Sequence, residues 1–305
     1  MKSGFVGIIG RPNVGKSTLL NAILGEKIAI ATDKPQTTRN QIRGIYTERK
    51  GSADDCQIVF IDTPGIHKPR NRLGSYMTGQ ATKTMQEVDV ILLLVDGPLS
   101  AGPGDQFILD MLREVSTPKI LVINKTDQIP PDRFRTIFEE YEATEVFQHC
   151  IGISALENIH VDRLVSLIKG MLTEGPMYFP EEMITDHPER FLVTELIREK
   201  VLLYLQDEIP HGVAIEIESY TEEERLTRIG VVIYCEKKSH KGMIIGKNGA
   251  KLKGIGKSAR LEIEALLGTK VFLELWVKVR ENWRDSDFAL NSLGYRNDLL
   301  ERDQD

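Results

Sequence analysis

Lys16 and Ser17 close the run GRPNVGKS at residues 10–17, which has the spacing G-x-x-x-x-G-K-[ST]. The chemistry of that spacing is anion capture. Backbone N–H groups of Asn13, Val14, Gly15 and Lys16 point into one turn, and the N-terminus of a following helix adds partial positive charge. Gly10 and Gly15 permit the close approach. Lys16 then reaches the β- and γ-phosphates of a nucleotide, the Ser17 hydroxyl ligates Mg²⁺, and Thr18 is expected to bind the nucleotide with them. A second run, DTPG at 62–65, follows an apolar stretch. There Asp62 is expected to hold Mg²⁺ through water, and the Gly65 N–H to sense the γ-phosphate. A third run, NKTD at 124–127, points to guanine. The Asp127 carboxylate accepts from the ring N–H and the exocyclic amine together, whereas adenine leaves it unpaired at a cost of ~1–3 kcal/mol. Asn124 is expected to brace the loop and the Lys125 stem to cover the base. In GISA (152–155), Ser154 and Ala155 complete the set, with the Ala155 N–H placed for the keto oxygen.

These runs need strands to carry them. FVGII (5–9), QIVFID (57–62), VILLLVD (90–96) and KILVIN (119–124) are apolar on both faces and bounded by turn residues, as central parallel strands are. NQIRGIYTERK and the GSADD connection predict a hairpin that adds one antiparallel strand. The expected first domain, residues 1–175, is α/β, with a mostly parallel sheet and helices on both faces. Residues 176–190 hold Pro176, Pro180 and Pro188 without a period and are expected to be a linker. Residues 191–305 have the order α-β-β-α-α-β, a smaller α+β domain with an apolar helix stripe at Leu252, Ile255, Ala259, Ile263 and Leu266.

The 305 residues carry 39 Lys+Arg against 45 Asp+Glu, a formal charge of −6. A uniformly basic nucleic-acid coat is excluded. Three cysteines far apart exclude a disulfide framework and suit a reducing cytoplasm. The longest apolar run, 90–95, is far short of the ~20 residues that span a bilayer. Charge is nonetheless uneven. Residues 237–260 hold eight basic and no acidic side chains, inside a segment from 171 onward with 19 basic and 25 acidic. At its centre stands IIGKNGAKL. A GxxG loop between helices lets backbone approach phosphates while lysines neutralise them. The expected RNA contacts are Ile245, Gly246, Lys247, Asn248, Gly249, Lys251, Lys253, Lys257 and Arg260. GIGKS at 254–258 is not a second phosphate loop, because Lys251 occupies the place of its first glycine; Gly254 and Gly256 are expected to serve close packing. Trp276 and Trp283 are expected in a core.

The four nucleotide runs resemble the Ras-like superfamily of translation-factor-related GTPases. That resemblance implies a switch-loop threonine over Mg²⁺ and the γ-phosphate. In PQTTRN (35–40) Thr38 is the first choice and Thr37 the second. The implied catalytic set is Lys16, Thr38 and Gly65, and the implied magnesium set is Ser17, Thr38 and Asp62. Many relatives place Gln after the DxxG glycine; Ile66 stands there and cannot orient water, so slow intrinsic hydrolysis is expected. Asn13 occupies the position at which some relatives bind K⁺, which makes K⁺ stimulation an expectation. The second domain resembles a KH domain of the bacterial type. With LWVKVRENWRDSDFALNSLGY near the C-terminus, the whole chain resembles the Era family. This implies GTP/GDP and Mg²⁺ as ligands, and the 3′ end of small-subunit ribosomal RNA and the small ribosomal subunit as partners. It also implies a role in maturing that subunit, a monomer, a cytoplasmic location and peripheral contact with the inner membrane. The rival readings are a membrane-surface GTPase whose basic strip meets anionic lipid, and another P-loop NTPase with an incidental basic domain.

Overall fold

The computed structural model describes residues 1–34, 36–49, 51, 55–98, 102–205 and 209–295. Pro35 of PQTTRN, most of the GSADD connection and residues 296–305 of the second domain lie outside them. The chain divides into two compact units, Met1–Pro69 with Met77–Asp186, and Arg70–Tyr76 with His187 onward.

In the first unit the order is β1 Lys2–Gly10, α1 Lys16–Leu24, β2 Ile42–Glu48, β3 Cys56–Asp62, α2 Arg72–Glu87, β4 Val90–Asp96, α3 Pro103–Arg113, β5 Lys119–Asn124, α4 Pro131–Glu142, β6 His149–Gly152 and α5 Val161–Met171. The first turn of α2 is counted with the second unit. The six strands run β2-β3-β1-β4-β5-β6, parallel except for β2 against β3. The apolar residues of β4 and β5 are buried on both faces, as helices on both sides require. Register aligns the C-terminal ends: Ile8 lies opposite Asp62, Gly10 opposite Leu94, and Asp96 opposite Asn124. A single sheet edge therefore receives every loop that carries a nucleotide run.

Residues 177–186, inside the Pro-rich stretch, lie along β2. The Ile45 N–H donates to the Ile184 carbonyl (2.8 Å) and the Thr185 hydroxyl to the Arg43 carbonyl (2.7 Å). Gln57, fully buried in β3, uses its whole amide on this arrangement. Its oxygen accepts from the N–H of Tyr178 (2.7 Å) and Phe179 (3.0 Å), and its NH₂ donates to the Phe179 carbonyl (2.8 Å) and the Thr47 hydroxyl (3.0 Å). A buried amide with every group paired holds the segment in one register.

The second unit comprises α6 Glu189–Tyr204, β7 Ala214–Glu223, β8 Leu226–Cys235, α7 Lys238–Ile245, α8 Ala250–Leu267, β9 Lys270–Val279 and α9 Asp287–Ser292. Its sheet runs β7-β8-β9, with β7/β8 antiparallel and β8/β9 parallel. Val193, Ile197 and Val201 of α6 and Ile255, Ala259 and Ile263 of α8 pack on Val231 and Ile233 in one core. Gly254 meets the Tyr204 ring, which an added Cβ would approach to 2.9 Å, and a Cβ on Gly256 would lie 3.3 Å from Leu275. Both glycines serve close packing. Trp283 is fully buried and donates its indole N–H to the Gly212 carbonyl (3.0 Å). Two expectations are corrected. Trp276 is 45% exposed, because it sits on the face of β9 opposite the helices, and Leu266 is 39% exposed, one position outside the Ile255–Ala259–Ile263 stripe.

Candidate functional site

The phosphate loop is built by local geometry. Gly15 has φ +98°, and a Cβ there would meet the Asn124 amide nitrogen at 2.2 Å; a Cβ on Gly10 would meet the Leu94 carbonyl oxygen at 2.5 Å. Lys16 is buried under the loop it serves. Its Nζ donates to the carbonyls of Arg11 (2.9 Å) and Gly10 (3.3 Å). Burial pulls its ammonium down to about 8, opposed by the Asp62 charge. Gly65 presses on the loop from the other side, where a Cβ would come within 2.7 Å of Pro12 backbone.

Three oxygens from distant parts of the sequence converge beside Lys16. The Ser17 hydroxyl donates to Asp62 Oδ2 (2.6 Å), and Thr38 Oγ1 lies 2.9 Å from Ser17 Oγ and 3.4 Å from the same carboxylate oxygen. Thr37 is spent elsewhere, donating to the Lys34 carbonyl (2.6 Å). Asp62 is fully buried, and its Oδ1 has no hydrogen-bond partner among the described residues. Burial pushes its carboxyl up to about 6, against the pull of Lys16 and the two hydroxyls. An all-oxygen set around an orphaned carboxylate oxygen fits a hard divalent cation such as Mg²⁺.

The base-side loops are tied together by one side chain. Asn124, 2% exposed, donates from Nδ2 to the Val14 carbonyl (2.8 Å) and accepts at Oδ1 from the Ala155 N–H (3.0 Å). Lys125, at φ +61°, donates to Asp96 Oδ2 (2.5 Å) and the Asn13 carbonyl (3.1 Å), which lays its stem across the cleft. A hydrogen bond from Ser154 holds the exposed Asp127 carboxyl below the usual carboxylate range. Asn13, at φ +65°, donates its amide to the Asp33 carbonyl (2.7 Å).

These elements enclose a cleft of about 390 Å³. Of the residues expected from sequence, Asn13, Gly15, Lys16, Ser17, Thr18, Thr38, its alternative Thr37, Gly65, Asn124, Lys125, Asp127 and Ser154 line it. Gly10, Val14, Asp62 and Ala155 do not line it. The lining also includes Ile30, Ala31, Thr32 and Asp33, which sequence reasoning missed because their types and spacing carry no chemistry of their own. It missed Leu156 too, which its place beside Ala155 could have signalled. Ile66 is fully buried in the core, with its N–H on the Gly10 carbonyl (3.0 Å). No side chain therefore stands at the position after Gly65 to meet a water.

In the second unit, residues 246–249 form the turn between α7 and α8. Gly246, Asn248 and Gly249 all have positive φ, and a Cβ on Gly246 would strike Lys251 at 2.7 Å. Lys247 and Asn248 stand exposed at the tip. Beside the turn lies a groove of about 560 Å³. Its wall is Lys253, Lys257 and Arg260, and its floor is Gly249, Leu252, Gly256, Leu273 and Leu275. Ile245, Gly246, Lys247, Asn248 and Lys251 do not line it. Leu273 and Leu275 were missed as contacts; their alternation in LELWVKV was the available signal. A cationic wall over an apolar floor can hold phosphates on one side and bases on the other.

Known proteins carry the same two parts. A family described as 50S ribosome-binding GTPase matches residues 5–125, and one described as KH domain matches residues 208–284. The chain is 60% identical over 296 residues to GTPase Era of Alkaliphilus oremlandii (strain OhILAs), covering 96% of this chain and 99% of the relative. It is 56% identical over 297 residues to GTPase Era of Clostridioides difficile (strain 630), covering 96% and 98%. Its fold is similar, at a TM-score of 0.93 and 38% identity over 97% of this chain and 100% of the other, to a crystal structure of Era in complex with MgGDPNP and nucleotides 1506-1542 of 16S ribosomal RNA. A variant of Aquifex aeolicus Era bound to GDP.AlF4- matches with the same figures. With a P-loop GTPase domain followed by a KH domain, and such relatives over nearly its whole length, the chain belongs to the Era family of GTPases.

Proposed function

We propose that this GTPase binds the 3′ end of small-subunit ribosomal RNA through its KH groove, assists maturation of the small subunit, and is switched by its nucleotide. The observation that carries the nucleotide half is the convergence of Ser17, Thr38 and Asp62 within hydrogen-bond reach beside a buried Lys16. Lys16 would neutralise phosphate oxygens, and Ser17, Thr38 and Asp62 would hold Mg²⁺, which when bound screens the charge of the transferred phosphoryl group. Asn124 orients both base-side loops, Lys125 covers one face of guanine, and Asp127 reads its two donors. Because Ile66 is turned into the core, intrinsic hydrolysis is slow. K⁺ beside Asn13 adds positive charge to that of Lys16, and equal rates in KCl and NaCl would refute that part.

For the RNA half, the Lys253–Lys257–Arg260 wall and the positive-φ turn support the KH groove, and an Era relative has been crystallised with a 16S segment. Residues 1–175, 176–190 and 191–305 are the proposed GTPase domain, linker and KH domain, acting as a cytoplasmic monomer. The basic strip also supports peripheral contact with an anionic inner membrane. The experiment is the affinity of a 3′-end RNA oligonucleotide for protein loaded with GTP analogue or GDP, for wild type and a variant that joins Lys247→Asp and Asn248→Asp at the turn to Lys253→Gln, Lys257→Gln and Arg260→Gln in the groove. Loss in the variant together with nucleotide dependence supports the reading. Unchanged RNA affinity, with binding to anionic vesicles lost instead, overturns it.

A further inference from the structure

A second groove opens on the first unit, about 760 Å³ in volume, sharing no lining residue with the nucleotide cleft. Ile129, Phe134, Phe138 and Ile151 give it an apolar floor, and Arg135 and Arg163 stand in its lining. Its lining contains no carboxylate, although the chain carries a net charge of −6. Both arginines are exposed, and neither has an acidic partner among the described residues. The groove runs beside β6, the last strand of the sheet, which among the described residues has a neighbour on only one side. An edge strand offers backbone donors and acceptors at the repeat of another extended chain.

We propose that this groove docks an extended, acidic segment of a partner protein, laid along β6, with apolar side chains on the Phe134–Phe138 floor and carboxylates on Arg135 and Arg163. β6 spans four residues, about 13 Å at ~3.3 Å per residue, so the matching segment is short. A peptide fits better than an RNA. Two guanidiniums over an aromatic floor make a sparse track for a phosphate backbone, whereas alternate side chains of a strand suit two charges beside apolar sockets. The site also borders both base-reading loops: Thr126 precedes Asp127, Gly152 leads to Ser154, and both line the groove.

The test uses full-length protein saturated with GDP and a fluorescein-labelled peptide EIDFEIDE, read by polarisation. The comparison arms are the lysine peptide KIKFKIKK, phosphatidylglycerol vesicles and a ribosomal RNA 3′-end oligonucleotide. Binding of the acidic peptide, weakened about tenfold by Arg135→Glu with Arg163→Glu and less by the Gln pair, is expected, since reversal turns two exposed attractions into repulsions. GDP affinity unchanged in the same variants shows that the fold is kept. Acidic-peptide binding that survives the double reversal overturns the proposal. So does equal binding of the lysine peptide, or no binding at roughly 1 mM. Loss of vesicle or RNA binding, with the peptide unaffected, overturns it in favour of that other anion.

Discussion

Replacing Asn124 with alanine removes two hydrogen bonds at once and leaves both partners in place. The Val14 carbonyl loses its donor at 2.8 Å and the Ala155 N–H its acceptor at 3.0 Å, in residues that are each 3% exposed. A buried polar group left unpaired costs ~1–3 kcal/mol, so the two together cost ~2–6 kcal/mol. The cost divides between the fold and the bound state, because the cleft must order the same loops around a nucleotide. With about half in each, GDP binding weakens ~5- to 150-fold at 1.4 kcal/mol per decade. The remainder lowers stability by ~1–3 kcal/mol, a shift of about 2–4 °C per kcal/mol for a domain of this size. Asn124→Asp restores the acceptor for Ala155 while facing a carboxylate to the Val14 carbonyl, so it recovers less than half the loss. The assay is titration with a fluorescent GDP analogue, alongside thermal unfolding without nucleotide. An alanine variant within about threefold of wild-type affinity, with no thermal shift, would refute the bracing role.

Other outcomes follow from single features. Lys16 is pulled down to about 8, so between about 8 and its ordinary 10.5 the folded chain holds fewer protons than the unfolded one. Nucleotide-free stability therefore rises with pH across that window while affinity for GTP falls, and paired unfolding and binding curves at pH 7 to 10 test the opposite signs. Gln57→Ala unpairs the Tyr178 and Phe179 N–H groups and the Phe179 carbonyl. A loss of ~2–4 kcal/mol is expected by denaturant titration, and no loss would mean that residues 177–186 are not anchored there. Replacing Lys253, Lys257 and Arg260 together by Gln lowers the slope of log affinity for single-stranded RNA against log salt by about 2, at ~0.7 per phosphate contact, and an unchanged slope would remove the wall from the interface.

Much of this architecture is legible in the chain because it is written locally. VILLLVD and KILVIN declare buried strands by composition, and parallel order then forces the residues after them, such as Asn124, to one edge of the sheet. What was not legible depends on contacts between distant residues. Gln57 is polar in an apolar strand, and nothing near it says that its partners lie about 120 positions later, at Tyr178 and Phe179. Proline-rich texture at 176–190 does not show that residues 177–186 bond to β2, because backbone hydrogen bonds leave no trace in side-chain periodicity. Trp276 failed for a related reason: alternation in LELWVKV gives two faces, and which one meets helices is decided by α6 and α8. Resemblance makes Thr38 the first choice, but the reason that Thr37 is turned to the Lys34 carbonyl is the backbone path of the loop, which two adjacent threonines do not show.

The segment at 177–186 gives the six-stranded sheet two unlike borders. Along β2 it occupies the rim, with Ile184 and Thr185 bonded to the strand backbone, while β6 at the far side has no strand beyond it among the described residues. A sheet open on both rims can be extended without end, copy upon copy, which is the route to fibres. A sheet covered on one rim can pair with a second copy only through the other. Two copies joined through β6 thus present a covered rim at either end, and growth copy upon copy ends at the two-fold pair.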